Sequence, residues 1–170
     1  ATMHLIEQGC KRIAHITSNL TRNVYAERYR GYRDALADSG IGLDESIVIV
    51  DNLSEKAGID AAHKLLKQKQ APDGAFITND FVAAAFIKTL KEQNISVPGD
   101  IAVVGFNNDA IAHLIEPSLT TINYPGNKMG EVAARTLINH IKGISKLDQI
   151  NTVIINSELV VRQSSLKKGK

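Results

Sequence analysis

Residues 101–109 read IAVVGFNND, and this stretch decides the fold. Ile101 to Val104 is a short unbroken apolar run rich in β-branched side chains. Gly105 and the aromatic Phe106 follow, then the polar cluster Asn107, Asn108 and Asp109. The turn Val97-Pro98-Gly99-Asp100 stops whatever helix precedes it. A strand that is apolar on both faces belongs in the middle of a parallel sheet with helices on both sides. In such sheets ligands bind beyond the carboxyl ends of the strands, where residues 107 to 109 sit.

The same arrangement repeats on either side of this stretch. Toward the amino terminus, GAFIT (74–78) is a strand followed by Asn79-Asp80, and a helix is expected over Phe81 to Gln93. IVIV (47–50) is a strand whose loop runs into Asn52, Leu53 and the helix N-cap Ser54, with a helix to about Lys69. RIAHIT (12–17) is a strand followed by a polar loop and an amphipathic helix over Val24 to Ser39. Ala1 to Gln8 reads as the end of a helix stopped by Gly9. Toward the carboxyl terminus come a short helix around Ala110 to Ile115, a strand at Leu119 to Ile122 and a helix over Asn127 to Lys142. Two closing strands, Thr152 to Ile155 and Leu159 to Val161, complete the expectation. Strand and helix alternate at least four times, which predicts an α/β fold with a parallel sheet flanked by helices and right-handed crossovers.

Length and composition bound the function. At 170 residues, 44% hydrophobic and 22% charged, the chain suits one globular domain burying roughly 70% of its unfolded surface. The formal charge is +2, and Lys167, Lys168 and Lys170 form a basic tail without which the body is near neutral. A nucleic-acid-binding surface is therefore not indicated. The single Cys10 excludes an internal disulfide and fits a reducing compartment. No apolar run approaches the roughly 18 residues needed to span a bilayer. The opening ATMHLIEQG lies already inside a helical pattern without an initiator methionine, so a fragment of a longer protein is expected.

Three strand ends deliver polar groups to one edge: the loop leading to Arg28, then Asn79 and Asp80, then Asn107 and Asn108. A guanidinium among amides and carboxylates suits a polyhydroxylated ligand. The competing reading is that Asn79 or Asp80 caps the next helix and that residues 107 to 109 are turn formers. The run FVAAAFI (81–87) is apolar all round, which implies burial by another element or by a second copy. Enzyme signatures are missing. There is no dinucleotide fingerprint, phosphate loop or nucleophile elbow, and His4, His15, His63, His113 and His140 lack metal-ligand spacing. No catalytic residue, cofactor or metal is expected, and His15 reads as a core histidine.

Together, HLIEQGCKRIAHI, RYRGYRDAL, FITNDFVAAAFIKTLKEQNISVPGDIAVVGFNN, PSLTTINYPGNKMGEVAARTLI and ELVVRQS resemble the effector-binding domain of the LacI/GalR family of bacterial transcriptional regulators. The resemblance spans nearly the whole chain. It implies a periplasmic-binding-protein-like (type I) lobe, with residues 1–124 forming the carboxyl-terminal lobe and 125–150 a helix given to the amino-terminal lobe. Residues 151–165 would be closing strands and 166–170 a basic tail, with the DNA-binding part and most of the amino-terminal lobe lying outside the chain.

It further implies a sugar or related effector held between lobes, operator DNA as partner through that absent part, a homodimer, no membrane and a cytoplasmic location. Carried over singly, the family's ligand contacts fall on Arg28, Asn79, Leu53 (usually aromatic), Asn107 (usually aspartate) and Tyr124 (often glutamine), with Asp80 and Asn108 beside them. The dimer habit falls on Phe81, Ala84, Ala85 and Lys88. Asparagine at 107 leaves Arg28 without its usual counter-charge and predicts an anionic ligand, with Asp80 and Asp109 as alternative sources of that charge. The rival readings are a periplasmic sugar-binding protein of a transport system and a sugar-modifying enzyme.

Overall fold

A computed structural model describes residues 1–144 and 152–167. The chain runs α1 (Thr2–Glu7), β1 (Ile13–Thr17), α2 (Asn23–Asp38), a 3-10 turn at Glu45–Ile47, β2 (Val48–Val50) and α3 (Glu55–Leu66). It continues with β3 (Gly74–Ile77), α4 (Asp80–Glu92), β4 (Ala102–Asn107), α5 (Ile111–Leu114), β5 (Thr120–Asn123), α6 (Gly126–Ile141) and β6 (Glu158–Val160). Ser54 caps α3 by accepting from the Ala57 N–H. Gly40 ends α2 at φ +69°, a conformation that costs glycine little.

The six strands form one sheet in the order β2-β1-β3-β4-β5-β6. The first five are parallel and β6 is antiparallel to β5. β1 pairs with both β2 and β3, so the chain steps outward to β2 and then returns across β1 to β3. That reversal opens a crevice at the carboxyl ends of β1 and β3.

Each central strand feeds two cores. Ala14, Ile16, Ala75, Ile77 and Val103 join Leu65, Val82, Phe86 and Leu90 on the side of α3 and α4. Ile13, Phe76, Ala102 and Val104 join Leu5, Tyr32 and Leu36 on the side of α1 and α2. Alternation along the strand sends successive side chains to opposite faces, and both faces are covered, which is why the strands read as unbroken apolar runs. Each fully buried leucine, isoleucine or phenylalanine contributes about 1.5–3 kcal/mol.

Most of the apolar run in α4 is used inside the chain, because the helix packs on α3, on α5 and on the sheet. Val82, Ala83, Phe86 and Ile87 are buried, while Phe81 remains 59% exposed. The α6 helix has no buried residue.

One closing strand is corrected. Thr152 to Ile155 forms no strand, and β6 covers Glu158–Val160 rather than 159–161. β6 takes the free side of β5, which is only four residues long, so no ladder position there remains for 152–155. Beyond β6, Ser164 enters the interior: its carbonyl accepts from the Val103 N–H at 2.8 Å and its hydroxyl donates to Val103 O at 2.6 Å.

Candidate functional site

The site is built at the carboxyl edge of the sheet. Because α2 starts soon after β1, its second turn brings Arg28 over that edge. Arg28 Nη1 donates to Thr78 O, just past β3, at 3.2 Å. Its guanidinium carbon lies 3.6 Å from the Phe106 ring centroid on β4 and 5.6 Å from that of Tyr25. One cation thus joins α2, β3 and β4, and stacking on Phe106 desolvates it. Burial lowers the Arg28 pKa, against the pull of Tyr25 and Tyr124. Among the described residues no carboxylate stands within ion-pair distance of Arg28. Tyr124, 44% exposed, stands beside Phe106 with ring centroids 6.3 Å apart.

Asn79 caps α4, its Oδ1 accepting from the Val82 N–H at 3.1 Å. The capping reading therefore holds for its oxygen, and the cap fixes the side chain at the end of β3. Its amide nitrogen has no partner among the described residues.

Asp80, expected beside the ligand contacts, is an internal strut in this fold. It is fully buried, and its two carboxylate oxygens accept from Thr121 Oγ1 at 2.7 Å and from the Asp109 N–H at 2.8 Å. Burial pushes its carboxyl above the ordinary range, against the pull of those donors and of the Phe106 N–H. Gly105 is what allows this approach: a Cβ there would stand 2.2 Å from Asp80 Oδ1.

The edge continues through Asn107 and Asn108, at φ +124° and +59°. The Asn108 value lies in the left-handed region that asparagine adopts more readily than most residues, and the Asn107 value lies beyond it. Asn107 Nδ2 donates to Asp109 Oδ2 at 3.1 Å. Asn108 donates to Asn123 Oδ1 at 3.2 Å and accepts from Arg162 Nη2 at 2.7 Å. Neither Asp80 nor Asp109 supplies the counter-charge for Arg28. Leu53, at φ +56°, packs against the core cluster on the α3 and α4 side, whereas Arg28 comes from α2 on the other side.

Several participants were not found from the sequence. Phe106 and Tyr25 flank the guanidinium, while Thr121, Asn123 and Arg162 hold the loop at 107–109. Arg162 also donates to Leu119 O at 2.7 Å and bridges to His113 Nε2 at 3.1 Å. The aromatic after Gly105 and the arginine after the last apolar pair were visible signals for two of them. His15, read as a core histidine, is fully buried, stacked on Tyr32 at 4.8 Å, with Nδ1 3.2 Å from Phe76 O. Its Nε2 and the Thr17 hydroxyl are buried without a partner on the same face of β1.

Among the described residues, no group of acidic, histidine or cysteine side chains could hold a metal ion, and no helix is long and apolar enough to cross a membrane.

Comparison with known proteins places this geometry. The profile of a periplasmic binding protein-like domain matches residues 2–165. An HTH-type transcriptional repressor, PurR of Yersinia enterocolitica, is 34% identical over 96% of this chain and 48% of its own length. The HTH-type transcriptional regulator CelR of Thermobifida fusca is 33% identical over the same shares of the two chains. The structure of a CelR–cellobiose complex aligns with a TM-score of 0.88 at 33% identity, covering 96% of this chain and 50% of that one. A LacI-family sugar-binding transcriptional regulator from Escherichia coli, complexed with phosphate, aligns at 0.82 and 28% identity, covering 95% of this chain and 57% of that one. The chain spans about half the length of the curated relatives it matches.

Proposed function

This chain belongs to the periplasmic binding protein-like effector domains of LacI-family transcriptional regulators, and from that premise we propose that it senses a sugar or related small metabolite for a DNA-binding regulator. The observation that carries the reading is the convergence on Arg28. The guanidinium joins three elements at the switch edge of the sheet through Thr78 O and the Phe106 ring, Asn79 and Asn107 follow those two partners in the chain, and Tyr124 stands beside Phe106. Donors and acceptors fixed on strand ends beside aromatic faces are what a hydroxylated ring needs.

In this reading Arg28, Asn79, Asn107, Asn108 and Tyr124 form one wall of an interlobe cleft, and Leu53 forms its outer rim. The α6 helix supports the two-lobed arrangement, since Met129, Leu137, Ile138 and Ile141 are exposed apolar residues along its length. They would pack in the amino-terminal lobe. Closure on ligand shifts the lobes, and operator affinity changes with it through an N-terminal DNA-binding part, reciprocally. The protein works in the cytoplasm as a homodimer. A groove of about 650 Å³ lined by Phe81, Ala84, Ala85, Lys88, Ile111 and Ile115 favours the α4 face for that contact.

The test uses the full-length protein and sheared genomic DNA from its source. Retention of fragments carrying a shared two-fold site, with release or capture changing on addition of a bound metabolite, is expected. Metabolite binding without any enriched DNA would overturn the regulator reading and leave a transport-type binding protein.

A further inference from the structure

We infer that the ligand of this edge carries an acidic group, a phosphate ester or a carboxylate, which the guanidinium of Arg28 receives in place of a protein counter-charge. This deepens the effector-cleft reading and rests on it.

Arg28 differs from the other cations that pair with acids. Arg12 has Asp44, Arg30 has Glu27, Arg135 has Glu131 and Lys56 has Asp60. Arg28 is half-buried with no acid, and only one of its five N–H groups is taken, by a neutral carbonyl. Arg162 also lacks a carboxylate, yet it is anchored by Leu119 O, Asn108 Oδ1 and His113 Nε2. Arg28 instead rests on the face of Phe106, which holds the planar fork while leaving four donors without a protein partner among the described residues.

The two acids expected as alternative sources of that counter-charge are engaged elsewhere. Asp80 is sealed under the strand end, where it holds Thr121 and the Asp109 N–H. Asp109 receives the side-chain amide of Asn107, so that residue 107 contributes no charge and also engages the next carboxylate. The groups that act electrostatically on Arg28 are the phenols of Tyr25 and Tyr124, and no carboxylate is among them. The edge therefore presents an uncompensated, partly desolvated cation. A bidentate oxyanion is its natural complement, since a planar fork and a carboxylate or phosphate match in both charge and geometry. A neutral polyol would bring no charge of its own to meet the guanidinium on this wall.

The test is calorimetric titration of the full-length protein with glucose, glucose 6-phosphate, gluconate, and inorganic phosphate at matched ionic strength, with binding at Arg28 followed by its side-chain N–H resonance. At least one acidic probe is expected to bind and move that resonance, about 10- to 100-fold more tightly than glucose, in line with one charge-assisted pair. The phosphate and gluconate arms separate the two sources of charge. Arg28→Gln should abolish the preference and Arg28→Lys should keep part of it. Asn107→Asp, which leaves Arg28 in place and supplies a local carboxylate, should shift preference toward the neutral probe. Glucose alone moving the Arg28 resonance would overturn the acidic-ligand inference while leaving the cleft standing. No probe of either class moving it would overturn both.

Discussion

Asp80 holds Thr121: the Thr121 hydroxyl donates to the buried Asp80 Oδ1 at 2.7 Å, tying the first residue of α4 to β5. The other oxygen of the same carboxylate takes the Asp109 N–H, so one side chain joins α4, the loop after β4 and the strand leading to the crossover. Thr121→Val should cost about 1–2 kcal/mol, because the carboxylate loses one donor in a buried site. Asp80→Ala should cost more, about 2–4 kcal/mol, since it strands the Thr121 hydroxyl and the Asp109 N–H together. Urea unfolding of both variants checks the order, and a cost for Asp80→Ala below that of Thr121→Val would contradict it.

Gly105→Ala tests the same strut from the backbone side. The added methyl would meet Asp80 Oδ1 at 2.2 Å and Leu119 Cδ2 at 2.8 Å, and both neighbours are fully buried. A loss of about 1–3 kcal/mol is expected from overpacking. A thermal midpoint equal to that of the parent chain would show that the strand end yields easily.

Much of this organisation was legible in the sequence, and the failures have physical causes. Val103 and Val104 face opposite cores, so a continuous apolar run is what a doubly covered strand must show, and β1, β3 and β4 were readable for that reason. Ser54 and Asn79 were readable as caps because capping is local. The role of Asp80 as a strut is not legible, because an acid beside a helix cap looks the same whether it faces solvent or Thr121, which is 41 residues away. Thr152 to Ile155 has the composition of a strand, but a strand exists only where a neighbour offers a ladder. Phe106 under Arg28 is likewise a long-range pairing that periodicity does not encode. Asn107 was legible as an uncharged position, though its bond to Asp109 was not.

His15 gives the chain a built-in acid sensitivity. Burial lowers its pKa from 6.5 to about 3, opposed by the hydrogen bond to Phe76 O and reinforced by Arg28. Between those two values the unfolded chain binds the proton that the folded chain refuses. Stability therefore falls as pH drops through this window, by at most about 1.4 kcal/mol per pH unit, and the contribution is fully present above it. His15→Phe keeps a ring against Tyr32 and removes the titration, so unfolding free energies between pH 7 and 5 should show a flatter slope than the parent. Equal slopes would contradict the assignment.

Asn79 has two roles that separate experimentally. Asn79→Ala should cost about 1 kcal/mol through the lost cap on Val82 N, whereas Asn79→Asp preserves the cap and removes the amide donor. If the amide contacts effector, the aspartate variant should match the parent in stability and bind effector more weakly. Unchanged effector affinity in that variant would confine Asn79 to capping.

The α4 face gives a further expectation. Phe81 is 59% exposed beside the partly covered Ala84. Ala84→Asp would put a charge into an apolar contact, and light scattering of the full-length protein should show dimer giving way to monomer at micromolar concentration. An unchanged mass would move the subunit contact elsewhere.

The most direct test of effector sensing at Arg28 is operator affinity of the full-length protein, measured with and without a bound effector, in the parent and in Arg28→Gln. A change of about 5- to 150-fold is expected in the parent, with none in Arg28→Gln, whose effector-free operator affinity should match the parent. An equal effector response in Arg28→Gln would contradict the account.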